Sequence, residues 1–181
     1  MKPTDFAYHL TTYLSKYLPG KAGISRNSIL SYRDTFTLLL RFCSEEKAMV
    51  IEKISLKYLT KNLINEFLEW LEAQRGCAIS TRNQRLAAIH SFFRYLQIEE
   101  PGHILTSQQI LSISMKRTGR SVINYLTLDA IKIILAAPDT NYLKGRRDLV
   151  LLSLMYDTGA RVQEIADLTV ADIRLENPPT V

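Results

Sequence analysis

The residues best suited to chemistry lie in the segment 158–168, Thr-Gly-Ala-Arg-Val-Gln-Glu-Ile-Ala-Asp-Leu. Arg161 precedes Glu164 by three residues, and Asp172-Ile173 follow shortly after. A planar guanidinium with five donors suits the charge that develops on phosphate oxygens during phosphoryl transfer. Taken alone, the same two residues are also an ordinary i, i+3 surface ion pair, worth about 0.3 kcal/mol. The surrounding sequence has to decide between these two interpretations.

This segment resembles the first catalytic-arginine box of the tyrosine recombinases, the phage-integrase family. In that box, T-G-x-R-x-x-E-[IL] is followed by a leucine and then by D-I or a similar pair. The threonine, glycine, arginine, glutamate and both later landmarks are present here. The resemblance extends over nearly the whole chain, because a four-helix core-binding domain, a basic linker and an L-T-x-x-[EA]-[IV] opening at 126–131 follow the family's order.

The resemblance implies that Arg161 holds the scissile phosphate and that Glu164 supports the site. Chemistry in this family also needs a tyrosine nucleophile that forms a phosphotyrosine link, a lysine and a His-x-x-Arg pair. No histidine follows Arg161, and all nine tyrosines precede it. We therefore expect a C-terminally truncated piece of a longer recombinase, which does not cleave DNA by itself. Because the family's mechanism is independent of metals, we expect no cofactor.

Basic residues in the front half are candidates for contacts with double-stranded DNA. Four polar residues recur at spacings of seven, four and four along one flank of the predicted second helix: Arg26, Arg33, Thr37 and Arg41. By resemblance, the second and fourth helices of such a domain face the DNA. A solvated charged face is the alternative interpretation of this stripe.

The predicted fourth helix and the following segment add further candidates. The fourth helix carries two arginines in its first turn, Arg82 and Arg85, and a flank whose side chains could contact base edges, Asn83, His90 and Arg94. The basic segment 112–124 offers three more cations that could contact phosphates, Lys116, Arg117 and Arg120.

Helices must position these residues, since no stretch of the front half alternates with the two-residue period of a strand. Apolar periodicity predicts a first helix over 5–18, capped by Thr4 and ended by Pro19-Gly20. Further helices follow Ser25 and Thr60, and a fourth opens at Ser80-Thr81 with a capping box to Gln84. Later helices are predicted over 107–111, 128–137, 144–158 and 162–168, and a strand over 169–175.

The expected fold is mainly α: a four-helix SAM-like core-binding domain (1–111), a basic linker (112–124) and the truncated, α-rich start of a mixed α+β catalytic domain (125–181). The formal charge of +5 and the pI near 9.2 permit a polyanionic partner without proving one. Two cysteines and three scattered histidines predict neither disulfides nor a metal site. No apolar run approaches the length of a membrane span, so we expect a cytoplasmic protein. The resemblance to the phage-integrase family implies a bacterial or phage origin.

Two other functions stay open from the sequence. The first is a non-catalytic DNA-binding protein that competes with a full-length recombinase at its sites. The second is a helical protein-interaction module whose basic residues are incidental, which predicts weak duplex binding with little dependence on salt. Self-association on DNA stays open as well, and these residues do not indicate the target sequence.

Overall fold

The computed structural model describes residues 2–119 and 125–173, and the chain divides into two compact units, Met1–Arg120 and Ser121–Val181. Across the described ranges, all regular secondary structure is helical, which confirms the predicted mainly-α class. Linker residues 120–124, with Arg120 among them, lie outside the described ranges.

The first unit contains five α-helices, α1 (Asp5–Thr12), α2 (Arg26–Glu45), α3 (Lys61–Ala73), α4 (Ile79–Glu99) and α5 (Ile104–Leu111). Three of them begin at predicted caps, where the hydroxyls of Thr4, Ser25 and Thr60 accept a backbone N–H three residues on. Helix α5 begins three residues before the predicted start. After α3, Gly76 has a φ of 60°, the left-handed conformation that favours glycine at a helix end.

The first helix does not end at Pro19-Gly20 as predicted. Beyond Thr12 the chain continues as a π-helix, Tyr13–Lys21, with Pro19 inside it, and the Ala22 N–H donates to the Tyr17 carbonyl at 3.0 Å. Tyr13 and Leu18 are buried in this segment. Because burying such side chains contributes about 1.5–3 kcal/mol each, packing offsets the hydrogen bond that proline cannot make.

Helix α4 begins at Ile79, and its N-cap is Ala78, three residues before the predicted cap Thr81. Ala78 makes no side-chain cap hydrogen bond. The predicted capping box between Thr81 and Gln84 is therefore wrong. The Gln84 side chain instead donates to the Ser31 hydroxyl of α2 at 3.1 Å. The earlier start places Arg82 within the helix, where its N–H donates to the Ala78 carbonyl and its side chain is buried.

The core of the first unit is a single cluster that joins all five helices. At its centre, the Phe92 ring of α4 meets three other aromatic rings edge to face, those of Phe6, Tyr13 and Phe36, at centroid distances of 5.1 to 5.9 Å. A second aromatic group, formed by Phe42, Phe67 and Trp70, joins α2 to α3. This packing holds α2 and α4 as rigid platforms for their exposed flanks.

The second unit contains α6 (Leu128–Ala136), α7 (Leu143–Thr158) and α8 (Val162–Ala166). As predicted, the Thr127 hydroxyl caps α6 by accepting the Ala130 N–H at 3.2 Å, and Gly159 ends α7 with a φ of 67°. Among residues 125–173, Ile165 is the one apolar side chain that is buried.

The strand predicted over 169–175 is wrong in its described part, because Val170–Asp172 form a 3-10 turn. The Asp172 carboxylate accepts hydrogen bonds from both the backbone N–H and the hydroxyl of Thr169, at 2.8 and 2.7 Å. These bonds bend the backbone into a turn, which a period-two pattern of side chains does not reveal. Residues 174 and 175 lie outside the described ranges.

Of the helices described, none combines the length and the apolar character that crossing a bilayer requires.

Candidate nucleic-acid interface and arginine box

The basic stripe of α2 lies on an exposed flank. Arg26, Arg33, Thr37 and Arg41 are exposed, while Phe36 on the inner face is buried. The Arg41 Nε lies 3.0 Å from the Glu45 Oε1, so this cation is already paired within the helix. In the described ranges, no carboxylate lies at ion-pair distance from Arg26 or Arg33. The two arginines at the N-terminal end of the stripe therefore carry its uncompensated charge.

The predicted base-reading flank of α4 is divided by the structure. Arg94 is exposed, but His90 is buried and its Nε2 lies 3.1 Å from the Ile110 carbonyl of α5. Burial lowers the pKa of His90 below its ordinary value of 6.5, so this imidazole is neutral at neutral pH. Asn83 is half-buried and bonds to the backbone of Lys116. Of the three, Arg94 alone presents its side chain to solvent.

Arg82 is buried, with 6% of its surface exposed. Its Nη1 donates to the Ser114 carbonyl at 3.3 Å and to the Asn83 Oδ1 at 3.1 Å, and its Nε lies 3.4 Å from the Glu72 Oε1. The Glu72 carboxylate compensates the charge of a buried cation that would otherwise be costly to desolvate, although the Nε itself donates no hydrogen bond in the described ranges. The guanidinium thus fastens α4 to α3 and to the chain after α5.

Arg85 joins α4 to α2. Its guanidinium forms an ion pair with Asp34 and donates hydrogen bonds to the Ser31 carbonyl and the Thr35 hydroxyl, at 3.1 and 3.2 Å. Only 16% of the side chain is exposed, so most of its donors are occupied inside the unit. Arg82 and Arg85, both predicted as DNA contacts, therefore have partners within the protein.

The described part of the basic linker begins with an ordered stretch. Ile113 is buried against the core, and the Lys116 Nζ donates to the Glu72 Oε1 at 2.7 Å. Lys116 and Arg117 are both exposed. Arg120, the third predicted cation, lies outside the described residues. The structure thus gathers Arg82 and Lys116 around the Glu72 carboxylate, and Asn83 bonds to both of these residues.

Arg161 stands at the N-cap of α8, with 84% of its side chain exposed. Its Nη1 donates to the Glu164 Oε1 at 2.9 Å, and its backbone N–H donates to the Glu164 Oε2 at 2.7 Å. Because Glu164 is the third residue of the helix, its carboxylate caps a free N–H and orients the guanidinium at once. In the described ranges, the remaining guanidinium donors have no protein partner, so they are available to an anion.

The electrostatics of this box follow from the same bonds. The backbone N–H and then the guanidinium of Arg161 lower the pKa of the Glu164 carboxyl below its usual value. Close by in the sequence, the hydroxyl and the N–H of Thr169 lower the pKa of Asp172 in the same way. Both carboxylates are therefore ionised at neutral pH, and Glu164 remains an acceptor for Arg161.

Sequence reasoning missed Glu72, which pairs with both Arg82 and Lys116. The sequence marks Glu72 only as an acid next to the buried Leu71 of α3. Its partners lie ten and 44 residues away, beyond the reach of helical periodicity. No local pattern could have identified this carboxylate.

Among residues 2–119 and 125–173, no three His, Cys, Asp or Glu side chains are grouped closely enough to hold a metal ion.

Residues 11–100 match the family model for the phage integrase, N-terminal SAM-like domain. Over 172 residues, or 95% of the chain, the sequence is 37% identical to 52% of a Sinorhizobium fredii protein named as an integrase/recombinase, y4rC. A second protein of that organism with the same description, y4rD, is 33% identical over 92% of the chain and 59% of its own length. The tyrosine recombinase XerC of Herpetosiphon aurantiacus is 30% identical over 88% of the chain and 49% of its own length.

The chain spans about half the length of the curated relatives that it matches. Their similarity covers the first unit and extends through much of the second, as the resemblance of the arginine box implied. With a SAM-like domain in its first unit and recombinases as its relatives, the chain belongs to the phage-integrase, or tyrosine recombinase, family.

Proposed function

We propose that this chain binds double-stranded DNA as the front part of a site-specific tyrosine recombinase. The observation that carries the proposal is the exposed stripe on α2, where Arg26 and Arg33 have no carboxylate partner in the described ranges. They lie seven residues apart, about 10 Å along the helix axis. Since each strand of duplex DNA carries a phosphate about every 3.4 Å of helix axis, this spacing corresponds to about three phosphate steps, and a rigid row of cations can follow a backbone.

The rigidity of α2 supports this assignment. One face of the helix is buried against aromatic rings of α1 and α4, and Arg85 and Gln84 of α4 bond to its first half. The exposed cations therefore lie on an element that is fixed before DNA arrives. A binding surface that is already ordered loses less conformational entropy when it binds.

Within the same proposal, Arg161 holds a phosphate of the DNA backbone and Glu164 keeps its guanidinium oriented. The donors that Glu164 leaves unoccupied suit the two non-bridging oxygens of a phosphate. Breaking and rejoining strands through a phosphotyrosine belongs to a longer polypeptide. We expect no covalent bond between this chain alone and DNA, because the nucleophilic tyrosine of this family follows the arginine box, whereas the nine tyrosines in this sequence all precede it.

The test is a salt titration of duplex binding, with a labelled double-stranded DNA of arbitrary sequence followed by fluorescence anisotropy. Replacing Arg26 and Arg33 by alanine is expected to weaken binding and to flatten the plot of log K against log salt by about 1.8, or about 0.9 for each lost phosphate contact. The control replaces Lys16 and Lys53, which are exposed on other elements, and so removes the same net charge. Its slope is expected to change by much less.

An unchanged slope in the Arg26/Arg33 variant would remove α2 from the interface. If the wild-type chain bound duplex DNA weakly and with no salt dependence, the helical protein-interaction module would be favoured instead. The proposal that this chain does not cleave DNA by itself is checked by running the same binding reactions on a denaturing gel. A covalent protein–DNA adduct would show that this chain cleaves alone. Competition with a full-length relative at its site would favour the non-catalytic competitor.

A further inference from the structure

The segment that leaves the first unit is fastened along five residues. Ser112 accepts a hydrogen bond from Lys61 of α3 at 2.9 Å, Ile113 is buried in the core, and the Ser114 carbonyl accepts one from Arg82. The Asn83 amide then pairs with the backbone of Lys116 in both directions, donating to its carbonyl at 2.7 Å and accepting its N–H at 3.0 Å. Two bonds to one residue fix both its position and its orientation.

Glu72 completes this arrangement from α3. Its Oε1 accepts a hydrogen bond from the Lys116 ammonium at 2.7 Å and lies 3.4 Å from the Nε of the buried Arg82. Three quarters of the Glu72 side chain is shielded from solvent, while about half of Lys116 remains exposed. One carboxylate thus neutralises the Lys116 ammonium on a surface where that ammonium still faces water.

We infer that Asn83 and Glu72 form a latch that sets where the basic residues of the linker meet DNA, and that Glu72 withholds the Lys116 charge until a phosphate replaces it. Asn83 is a positioning residue, since it holds the Lys116 backbone and places Lys116 and Arg117 at a fixed point beside α4. Glu72 competes with the DNA for the same ammonium. This inference rests on the proposed duplex binding and specifies how the linker takes part in it.

The competition follows from electrostatics. A partly exposed pair such as Glu72–Lys116 contributes little to stability, since water screens it. A phosphate can therefore replace the carboxylate at small cost, whereas Arg82 stays with Glu72 because it is buried. The backbone bonds to Asn83 persist through this exchange, so the ammonium changes partner while the chain keeps its place.

The first experiment compares Glu72→Gln with Glu66→Gln in the complete chain. Glu66 also lies on α3 and also pairs with a lysine, Lys47, at 2.7 Å, so the control removes the same charge from the same helix. We expect Glu72→Gln to tighten duplex binding several-fold, because the Lys116 ammonium no longer has to leave a carboxylate before it contacts a phosphate. The salt slope is expected to stay near that of the wild type, since the number of phosphates contacted is the same. Glu66→Gln is expected to leave the affinity nearly unchanged.

The effect of Glu72→Gln should disappear when Lys116 is also replaced by alanine. If Glu72→Gln tightened binding equally with and without Lys116, the competition between Glu72 and phosphate would be wrong. An equal effect of Glu66→Gln would likewise overturn it, because bulk charge would then explain the result. Lys116 is half exposed, so its replacement tests the pair without disturbing the fold.

Amide hydrogen exchange in the absence of DNA tests whether Asn83 holds the backbone of Lys116. The Lys116 amide of the wild-type chain is expected to exchange slowly for a residue outside a helix, and to lose this protection in Asn83→Ala while the amides of α4 keep theirs. Asn83→Asp retains the acceptor for this amide and should restore part of the protection. Rapid exchange of the wild-type amide would overturn the latch even if the chain binds DNA. Conversely, slow exchange in a chain that did not bind DNA would contradict the proposed function alone.

Discussion

At the scale of single residues, Arg161 and Glu164 show that hydrogen bonds within a short sequence motif can orient its side chains. Glu164 is bound twice by Arg161, once through the backbone N–H and once through the guanidinium. The pair forms within four consecutive residues, so it needs little from the rest of the fold. The guanidinium is then directed outward by a contact that belongs to the motif itself.

The pKa of Glu164 tests whether the backbone N–H or the guanidinium of Arg161 stabilises the carboxylate more. The backbone N–H is the larger cause of the lowered pKa, so Arg161→Ala is expected to leave the pKa of Glu164 below its usual value. Carbon-detected NMR titration of the carboxyl group measures this directly. A return to the ordinary value in Arg161→Ala would show that the guanidinium alone is responsible.

The sign of the accompanying stability change follows by linkage. Since the folded-state pKa lies below that of the unfolded chain, the contribution of Glu164 is fully present above the ordinary value of 4.5. It is lost as the pH falls through the lowered folded-state value.

At the scale of elements, the beginnings of α3 and α4 show that a predicted N-cap hydrogen bond forms in one helix and not in the other. Thr60 and Thr81 both precede apolar helical periodicity, and both were predicted to cap a helix. The Thr60 hydroxyl accepts the Leu63 N–H at 3.2 Å, whereas Thr81 lies inside α4. Two threonines in similar sequence contexts therefore differ in whether the hydroxyl caps a helix.

We predict that Thr60→Ala lowers the free energy of unfolding by about 1 kcal/mol, because an N–H at the start of α3 loses its acceptor. Thr81→Ala is expected to change it by less than about half as much, since alanine has a high helix propensity and no cap is lost. Urea denaturation followed by circular dichroism measures both. Equal losses in the two variants would argue that the Thr60 hydroxyl does not stabilise α3.

At the scale of the whole molecule, the two units differ in how much apolar surface they bury. The first has a continuous core centred on Phe92, while Ile165 is the one buried apolar side chain among residues 125–173. Within the described ranges, most of the packing energy therefore lies in the first unit, where the α2 stripe and the latch are also found.

Phe92 lies at the centre of the core of the first unit, so its replacement tests how much that core contributes to stability. Replacing it by alanine is expected to cost about 3–5 kcal/mol, because the cavity removes contacts with rings from three other segments. Ile98→Ala on the same helix is the control, since 73% of Ile98 is exposed and little should change. Thermal or chemical unfolding of both variants checks the difference, and a small loss for Phe92→Ala would place the core elsewhere.

What the sequence by itself determined is local along the chain. The helical class, the caps at Thr4, Ser25, Thr60 and Thr127, the helix ends at Gly76 and Gly159, and the arginine box all depend on residues within a few positions of one another. Periodicity and capping describe such contacts well, because each involves a single turn of backbone.

Only the tertiary structure decided which cationic side chains are exposed to solvent and which are buried in ion pairs. Arg33 and Arg82 have the same side chain and similar helical surroundings, yet the first is exposed and the second is buried against Glu72 and Ser114. The continuation of α1 through Pro19 and the early start of α4 were decided in the same way, by burial against segments far away in the chain. Burial and ion pairing depend on which segments meet in three dimensions, and a local sequence pattern carries no information about that meeting.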